Sequence, residues 1–277
     1  YDMGEFALVS HVLGVAHPPG YPLYIILGKL FTLLPIGDVA YRVNLMSAAW
    51  GSATVFLLFL ILKMTTRSDF ASFLPAMTVA VGSTFWSSAI WAEAHTLNAF
   101  LTLLIIYLMS LWRSTGDFRL GYLAFFILGL GLGNHRLILM ILPAAVFFLL
   151  LELGRRIPIL FWKPLLLLVL FVFFGSLINL YLPFRALQGA AIISDDPGRV
   201  DGFIRVALVS AQSGSVSTSF SEMLDQSVVL WAFTRYDFAI PALGISILGA
   251  KRPKFSTSNN RPLSFLAIWD FGKISAP

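Results

Sequence analysis

Asp2 and Glu5 stand three residues apart, a spacing that puts both carboxylates on one face of a helix. Paired acids of this kind suit general-base work on a hydroxyl, one taking the proton while the other orients it. They equally suit a capping box, with Asp2 capping and Glu5 reaching back to the first amide, and the two roles are compatible. The next polar stretch, His17-Pro-Pro-Gly-Tyr-Pro22, is a stiff elbow. Proline fixes φ, restricts the residue before it and donates no hydrogen bond. The elbow either presents His17 and Tyr21 to a substrate or is only the turn that breaks a helix. Trp91-Ala-Glu93-Ala-His95-Thr-Leu-Asn98 offers Glu93 as partner to a cation, and His95 and Asn98 as donors to an oxyanion. An interfacial Trp with helix-capping polar side chains gives the same pattern; His95 reads better as a cap, Glu93 better as functional. Asn134-His135-Arg136 and Tyr181-Leu-Pro-Phe-Arg185 add cations. Arg grips phosphate bidentately, so Arg136 and Arg185, with His135, would suit an anionic headgroup. The macrodipole alone also favours cations at a helix C-terminus. The four histidines, His11 among them, are scattered, and no pair has ligand spacing on one helix, so a divalent metal is not supported and no cofactor is expected.

The elements that must position these groups follow from composition. Hydrophobic residues make up 58% of the chain and charged residues 12%, against about 25% charged in a soluble domain. The relevant solvent is lipid, where a backbone must satisfy itself internally as helices or a closed barrel. The apolar runs are long and lack barrel alternation, so the expected fold is all-α, a polytopic transmembrane helix bundle. A span needs about 20 residues. Spans are expected near 43–62, 70–90, 97–112, 120–133, 137–151, 165–182 and 228–248, the last interrupted by Arg235 and Asp237. Residues 21–36 are apolar but carry Lys29 between Pro22 and Pro35, and read as a helix lying at the interface, with a short span as the alternative. The expected organisation is a first outward loop over 1–42 with interfacial helices, a bundle over 43–182, an outward loop over 183–227, a further span over 228–250 and an unplaced tail over 251–277. Because apolar sequence begins almost at Tyr1, a further span is expected upstream of it.

Alternating the spans sorts the charges. Lys63, Arg67, Arg113, Arg119, Arg155, Arg156, Lys163, Lys251, Arg252 and Lys254 fall on one side, in short loops or at span ends. The positive-inside rule makes that side cytoplasmic. The acids and all four histidines fall mostly on the other. The net charge of +5 is thus a topology signal and not a nucleic-acid footprint. The absence of Cys excludes disulfides and thiolate catalysis. Gly129 and Gly133 lie in an apolar helix with no preceding strand, and read as a close-packing face rather than a dinucleotide loop.

At these residues a resemblance becomes visible. Asp2-Met-Gly-Glu5-Phe, Leu13-Gly-Val-Ala-His17-Pro-Pro-Gly-Tyr-Pro-Leu-Tyr24 and Arg42-Val-Asn44-Leu-Met-Ser47 resemble the domain of unknown function 2723 family, which includes a protein O-mannosyltransferase. That family looks like a branch of the GT-C superfamily of polytopic glycosyltransferases. Weaker matches follow at Glu93 to Asn98, Gly133-Asn-His135 and Tyr181 to Arg185. Met3 stands where the family usually has a small residue, and the stretch ending in Asp196-Pro197 follows the family pattern only in part. The resemblance implies a lipid-linked, polyprenyl-phosphate sugar used outside the cytoplasm, with the catalytic acid in the first outward loop.

The function expected from sequence is therefore an inverting membrane glycosyltransferase. It would move mannose or a similar hexose to an acceptor hydroxyl on a protein or glycan. Asp2 would be the general base and Glu5 its companion; His17, Tyr21, Glu93, Asn98, His135, Arg136 and Arg185 would bind donor and sugar. The compact loops favour a bacterial inner membrane. The alternative, a transporter or lipid flippase, wants ionisable groups on broken helices near the midplane, whereas here they cluster at span ends.

Overall fold

A computed structural model describes residues 3–156 and 162–208 of the 277-residue chain. Asp2, the expected span 228–248, the tail and the later part of the loop 183–227 lie outside the described residues. Those described are almost entirely helical: α1 (Met3–Val12), α2 (Pro22–Thr32), α3 (Val39–Thr66), α4 (Asp69–Val81), α5 (Ser83–Ile90), α6 (His95–Thr115), α7 (Phe118–Gly131), α8 (Leu142–Arg156), α9 (Trp162–Ser176), α10 (Tyr181–Leu187) and α11 (Val200–Leu208). Among the described residues three helical stretches are long and apolar enough to cross a membrane, Val39–Thr66, His95–Thr115 and Lys163–Leu187, and a bent pair makes a fourth if it is taken as one span. The protein is an all-α membrane helix bundle.

Local signals set the helix ends. Asp38 caps α3 by accepting from the Tyr41 amide at 2.7 Å. Ser68 caps α4 through the Ala71 amide, and Asp117 caps α7 through the Arg119 amide. Each side-chain oxygen satisfies one of the amide donors that a helix start leaves without a partner. Gly116 ends α6 in the left-handed region at φ 76°, where a Cβ would be strained.

The helices pack in sequence. α1 and α2 lie against α3, α3 against α6, α6 against α7, and α7 against α9. Gly129 takes part in the closest of these contacts: a Cβ there would run into the Val172 carbonyl of α9, and one on Gly175 would strike the backbone of α7. Two small residues let the two backbones touch, as the sequence had suggested for Gly129. Gly133, just past the end of α7, leaves room for the Ile178 side chain.

Two expectations need correction. The run 70–90 is not one straight span: α4 and α5 meet at 65° across Gly82. Gly82 adopts an extended conformation (φ −60°, ψ 133°), and glycine is a poor helix residue. The run 137–151 begins as a 3-10 turn over Arg136–Ile141 before α8. The apolar helix α2 packs against its neighbours, with Leu23, Tyr24 and Ile25 buried between them. The helix α7, at 14 residues, rises about 21 Å, short of the roughly 30 Å hydrocarbon layer.

Candidate functional site

Three polar breaks meet at one end of the bundle: the elbow after α1, the turn between α5 and α6, and the turn after α7. Backbone and buried side-chain bonds lock them together. The Leu23 amide donates to the Gly133 carbonyl at 2.8 Å, tying elbow to α7 turn. The buried Asn134 side-chain amide donates to the Ala94 carbonyl at 3.0 Å, tying the α7 turn to the α5–α6 turn. Ser47 of α3 joins the rest. Its hydroxyl lies 3.2 Å from the Tyr24 hydroxyl and accepts from the Glu93 amide at 3.4 Å. Burial is the first cause that raises the Tyr24 phenol above its ordinary range, so it stays a neutral hydrogen-bonding group.

Within this frame the side chains form a row. Glu5, on α1, accepts two hydrogen bonds from His17: one oxygen takes the His17 backbone amide at 2.8 Å, the other lies 2.7 Å from Nδ1. The Tyr21 hydroxyl lies 3.3 Å from Nε2 of the same ring. With Nδ1–H donating to Glu5, Nε2 is left to accept from Tyr21, a carboxylate–imidazole–hydroxyl order familiar from base-activating triads. Phe6, one residue on, packs edge-on against Tyr21 with centroids 4.8 Å apart and also touches His17 and Tyr24. The Tyr21 ring then approaches His135 at 5.9 Å, and His135 approaches His95 at 5.4 Å. His95 Nε2 is 3.8 Å from Glu93, which closes the row.

His135 is held as a neutral donor. Its Nδ1 accepts from the Leu137 amide at 3.1 Å, capping the 3-10 turn, so Nε2 carries the proton. Burial, then the charges of His95, Arg136 and His17, push its pKa down to about 4. Arg136 beside it donates to the Val206 carbonyl of α11 at 2.9 Å. Burial lowers its pKa, and the nearby Tyr21 opposes that shift.

The remaining expected residues are less central. Arg185 does not point at the row. Its Nε donates to the Leu13 carbonyl at 2.7 Å, and its other nitrogens reach Gln188 and the Val12 carbonyl. It therefore terminates α1, alongside the Tyr181 hydroxyl on the Gly14 carbonyl and Lys29 on the His11 carbonyl. Asn98 lies in the first turn of α6 with a buried side-chain oxygen that has no hydrogen-bond partner among the described residues. Asp2 lies outside the described residues. Among those residues no three His, Asp or Glu side chains converge as metal ligands would. Sequence reasoning did not single out Tyr24, Ser47 or Phe6 as groups of the site. The one signal for all three was their place in stretches that resemble the family.

The comparisons with known proteins agree on one relationship. The family described as the protein O-mannosyl-transferase TMEM260 N-terminal domain matches residues 2–156, more than half of the chain. A mouse protein, "Protein O-mannosyl-transferase TMEM260", is 32% identical over 88% of this chain. A Dictyostelium discoideum protein of the same description is 29% identical over 56% of it. The chain spans only 36% of the length of the mouse protein and 21% of that of the amoebal one. Both relatives are eukaryotic, so the expected bacterial inner membrane draws no support from them. No solved structure matches the chain.

Proposed function

The chain belongs to the protein O-mannosyl-transferase TMEM260 N-terminal domain family, and from that premise we propose that it is the catalytic membrane portion of a glycosyltransferase acting at the non-cytosolic face. It moves mannose from a polyprenyl-phosphate donor to a hydroxyl of a protein acceptor. The observation that carries this reading is the linked Glu5–His17–Tyr21 set, with His135 and His95 alongside it, at the end of the bundle opposite Lys63 and Arg113. A site on that side has no access to cytoplasmic nucleotide sugars, so a membrane-borne donor makes physical sense.

In the proposed step the acceptor oxygen bonds to the anomeric carbon as the carbon–oxygen bond to the lipid phosphate breaks, and the electron pair leaves with the phosphate. The acceptor proton passes to Asp2, and attack opposite the leaving group inverts the anomeric centre. A positioned base of this kind contributes about 10²–10⁴-fold. Glu5, one helical turn from Asp2 in sequence, and His17, which is bonded to Glu5, orient the base and the acceptor. Arg136 holds the phosphate by charge-assisted hydrogen bonds, and His135 adds a neutral Nε2–H donor. Glu93 and Asn98 face the sugar's hydroxyls. Arg185 acts from behind, fixing the end of α1 and the start of the elbow. The transport alternative would use the α4–α5 break, but that break holds Gly82, Ser83 and Thr84 and no ionisable group.

The test places the full-length protein in sealed proteoliposomes with an acceptor peptide outside. Labelled polyprenyl-phosphate mannose should support transfer, and GDP-mannose should not. Transfer from GDP-mannose alone, or solute flux with no transfer, would refute the reading.

A further inference from the structure

The loop between α10 and α11 lays an extended segment against the elbow. Val15 is fully buried; its amide donates to the Ile192 carbonyl at 2.9 Å, and its carbonyl accepts from the Ser194 amide at 3.1 Å. That is the hydrogen-bond pattern of a parallel ladder, reduced to one bridge between Val15 and Ile193. Gly14 permits the approach, because a Cβ there would lie 2.7 Å from the Ile192 carbonyl oxygen. β-Branched Ile192 and Ile193 suit extended backbone. The Ile193 side chain packs on Val15, Leu182 and Val206, which fixes the segment in place. It ends at Asp195 and Asp196, both in the left-handed region at φ 55° and 24°.

The bridge uses one edge of this segment. With the Ile192 carbonyl and the Ser194 amide both turned to Val15, the Ile193 amide and carbonyl face the opposite way. Neither has a hydrogen-bond partner among the described residues, and Ile193 is only partly buried. An open strand edge is a template for a further strand, and main-chain pairing on such an edge is a recurring way to hold an extended peptide. The inner partner leads to the candidate site: two residues after Val15 the chain reaches His17, which is bonded to Glu5. A strand added outside would lie two strand spacings from Val15, about 10 Å, with His17 about 7 Å further along. Its paired residue is too distant to enter the site, but residues about three or four positions along the same peptide reach it. Asp195 and Asp196 are exposed at the end of the segment, so a basic residue of the peptide meets opposite charge there. The neighbouring Arg199 is paired with Asp201 at 3.6 Å. A lipid offers no backbone amide to this edge, whereas a polypeptide offers one at nearly every residue.

We propose that the outer edge of Ile193 is a docking strand for the polypeptide acceptor, which pairs its backbone there in extended form, about three or four residues from the hydroxyl that is modified. This rests on the protein acceptor of the preceding section and gives it a place on the chain. Recognition of this kind reads the main chain, so it tolerates varied acceptor sequences and rejects segments that cannot extend.

The experiment measures mannose transfer by the full-length protein to an acceptor peptide and to the same peptide N-methylated at one backbone amide at a time. Methylation at one position, about three or four residues from the modified hydroxyl, should raise KM about tenfold with kcat unchanged, as the loss of one backbone hydrogen bond does. Methylation of the residues on either side should change little. Ile193→Pro removes the outward amide of the docking strand and should raise KM for the unmethylated peptide about tenfold; Ile193→Ala, which keeps that amide, should not. A KM insensitive to methylation at every position, or sensitive only at the modified residue, would overturn the assignment, as would equal KM values for Ile193→Pro and Ile193→Ala. Should Ile193→Pro fail to fold, the peptide series decides alone. If the wild type mannosylates no unmethylated peptide, the reading of the preceding section fails and takes this one with it; transfer that ignores backbone methylation overturns this one alone.

Discussion

Replacing Glu5 by Gln separates charge from shape at the centre of the site. The carboxylate accepts from the His17 amide at 2.8 Å and from its ring Nδ1 at 2.7 Å. Gln keeps a carbonyl for the first bond and loses the charge that orders the second. A hydrogen bond to a charged group is worth about 1.5–3 kcal/mol net. Both side chains are about one-third exposed, at 33% and 34%, and water screening reduces that figure. A stability loss of about 1 kcal/mol is therefore expected, a fall of a few degrees in Tm. The effect on transfer should be much larger. If Glu5 and His17 orient the base and acceptor, kcat should drop by about 10²-fold or more, at least about 3 kcal/mol of barrier. Glu5→Ala should lose as much activity and more stability, because the elbow amide then lacks its acceptor too. The assay is mannose transfer from polyprenyl-phosphate mannose at saturating donor, with Tm read by intrinsic tryptophan fluorescence on the same samples. Turnover of Glu5→Gln within about twofold of wild type would refute the role, as would an activity loss that only tracks the unfolded fraction.

Three further outcomes are expected. Ser47→Ala removes the group between Tyr24 and Glu93; it strands a buried phenol hydroxyl and should cost about 1–3 kcal/mol, seen as a lower Tm in detergent. Gly129→Leu forces side-chain atoms into the Val172 carbonyl and should cost about 1–3 kcal/mol or more by overpacking, whereas Leu123→Ala on the exposed side of the same helix should change little. His135 is neutral when folded, with its pKa lowered from 6.5 to about 4; protonation thus favours the unfolded chain. Its contribution to stability is complete above about pH 6.5 and is lost as pH falls towards about 4. Tm measured across that window should fall less steeply in His135→Gln than in wild type; identical slopes would contradict the assignment.

The helical class and the polar breaks were legible because lipid leaves a backbone few options and long apolar runs advertise their ends. The convergence of His17, His95 and His135 followed from span alternation, which brings successive breaks to the same end. Pairings were less legible. Nothing in the spacing of Glu5 and His17 states that one will accept two bonds from the other, since the elbow between them sets that distance. Arg185 was read as a phosphate ligand because Arg prefers phosphate, yet its described partners are the Leu13 and Val12 carbonyls and Gln188. Backbone carbonyls at a helix end leave no mark on composition. The bend at Gly82 was hidden for a related reason, a single glycine in an apolar run being compatible with a straight helix. His95, read as a cap, stands in the row instead because the α5–α6 turn abuts the α7 turn through Asn134.

The most direct measurement is single-turnover transfer by Asp2→Asn in the full-length protein, reconstituted with labelled polyprenyl-phosphate mannose and a hydroxyl-bearing peptide. If a carboxylate there accepts the acceptor's proton, product formation should fall by about 10²–10⁴-fold while insertion and Tm are retained. Wild-type rates in that variant would contradict a base in the first outward segment, and with it the proposed chemistry.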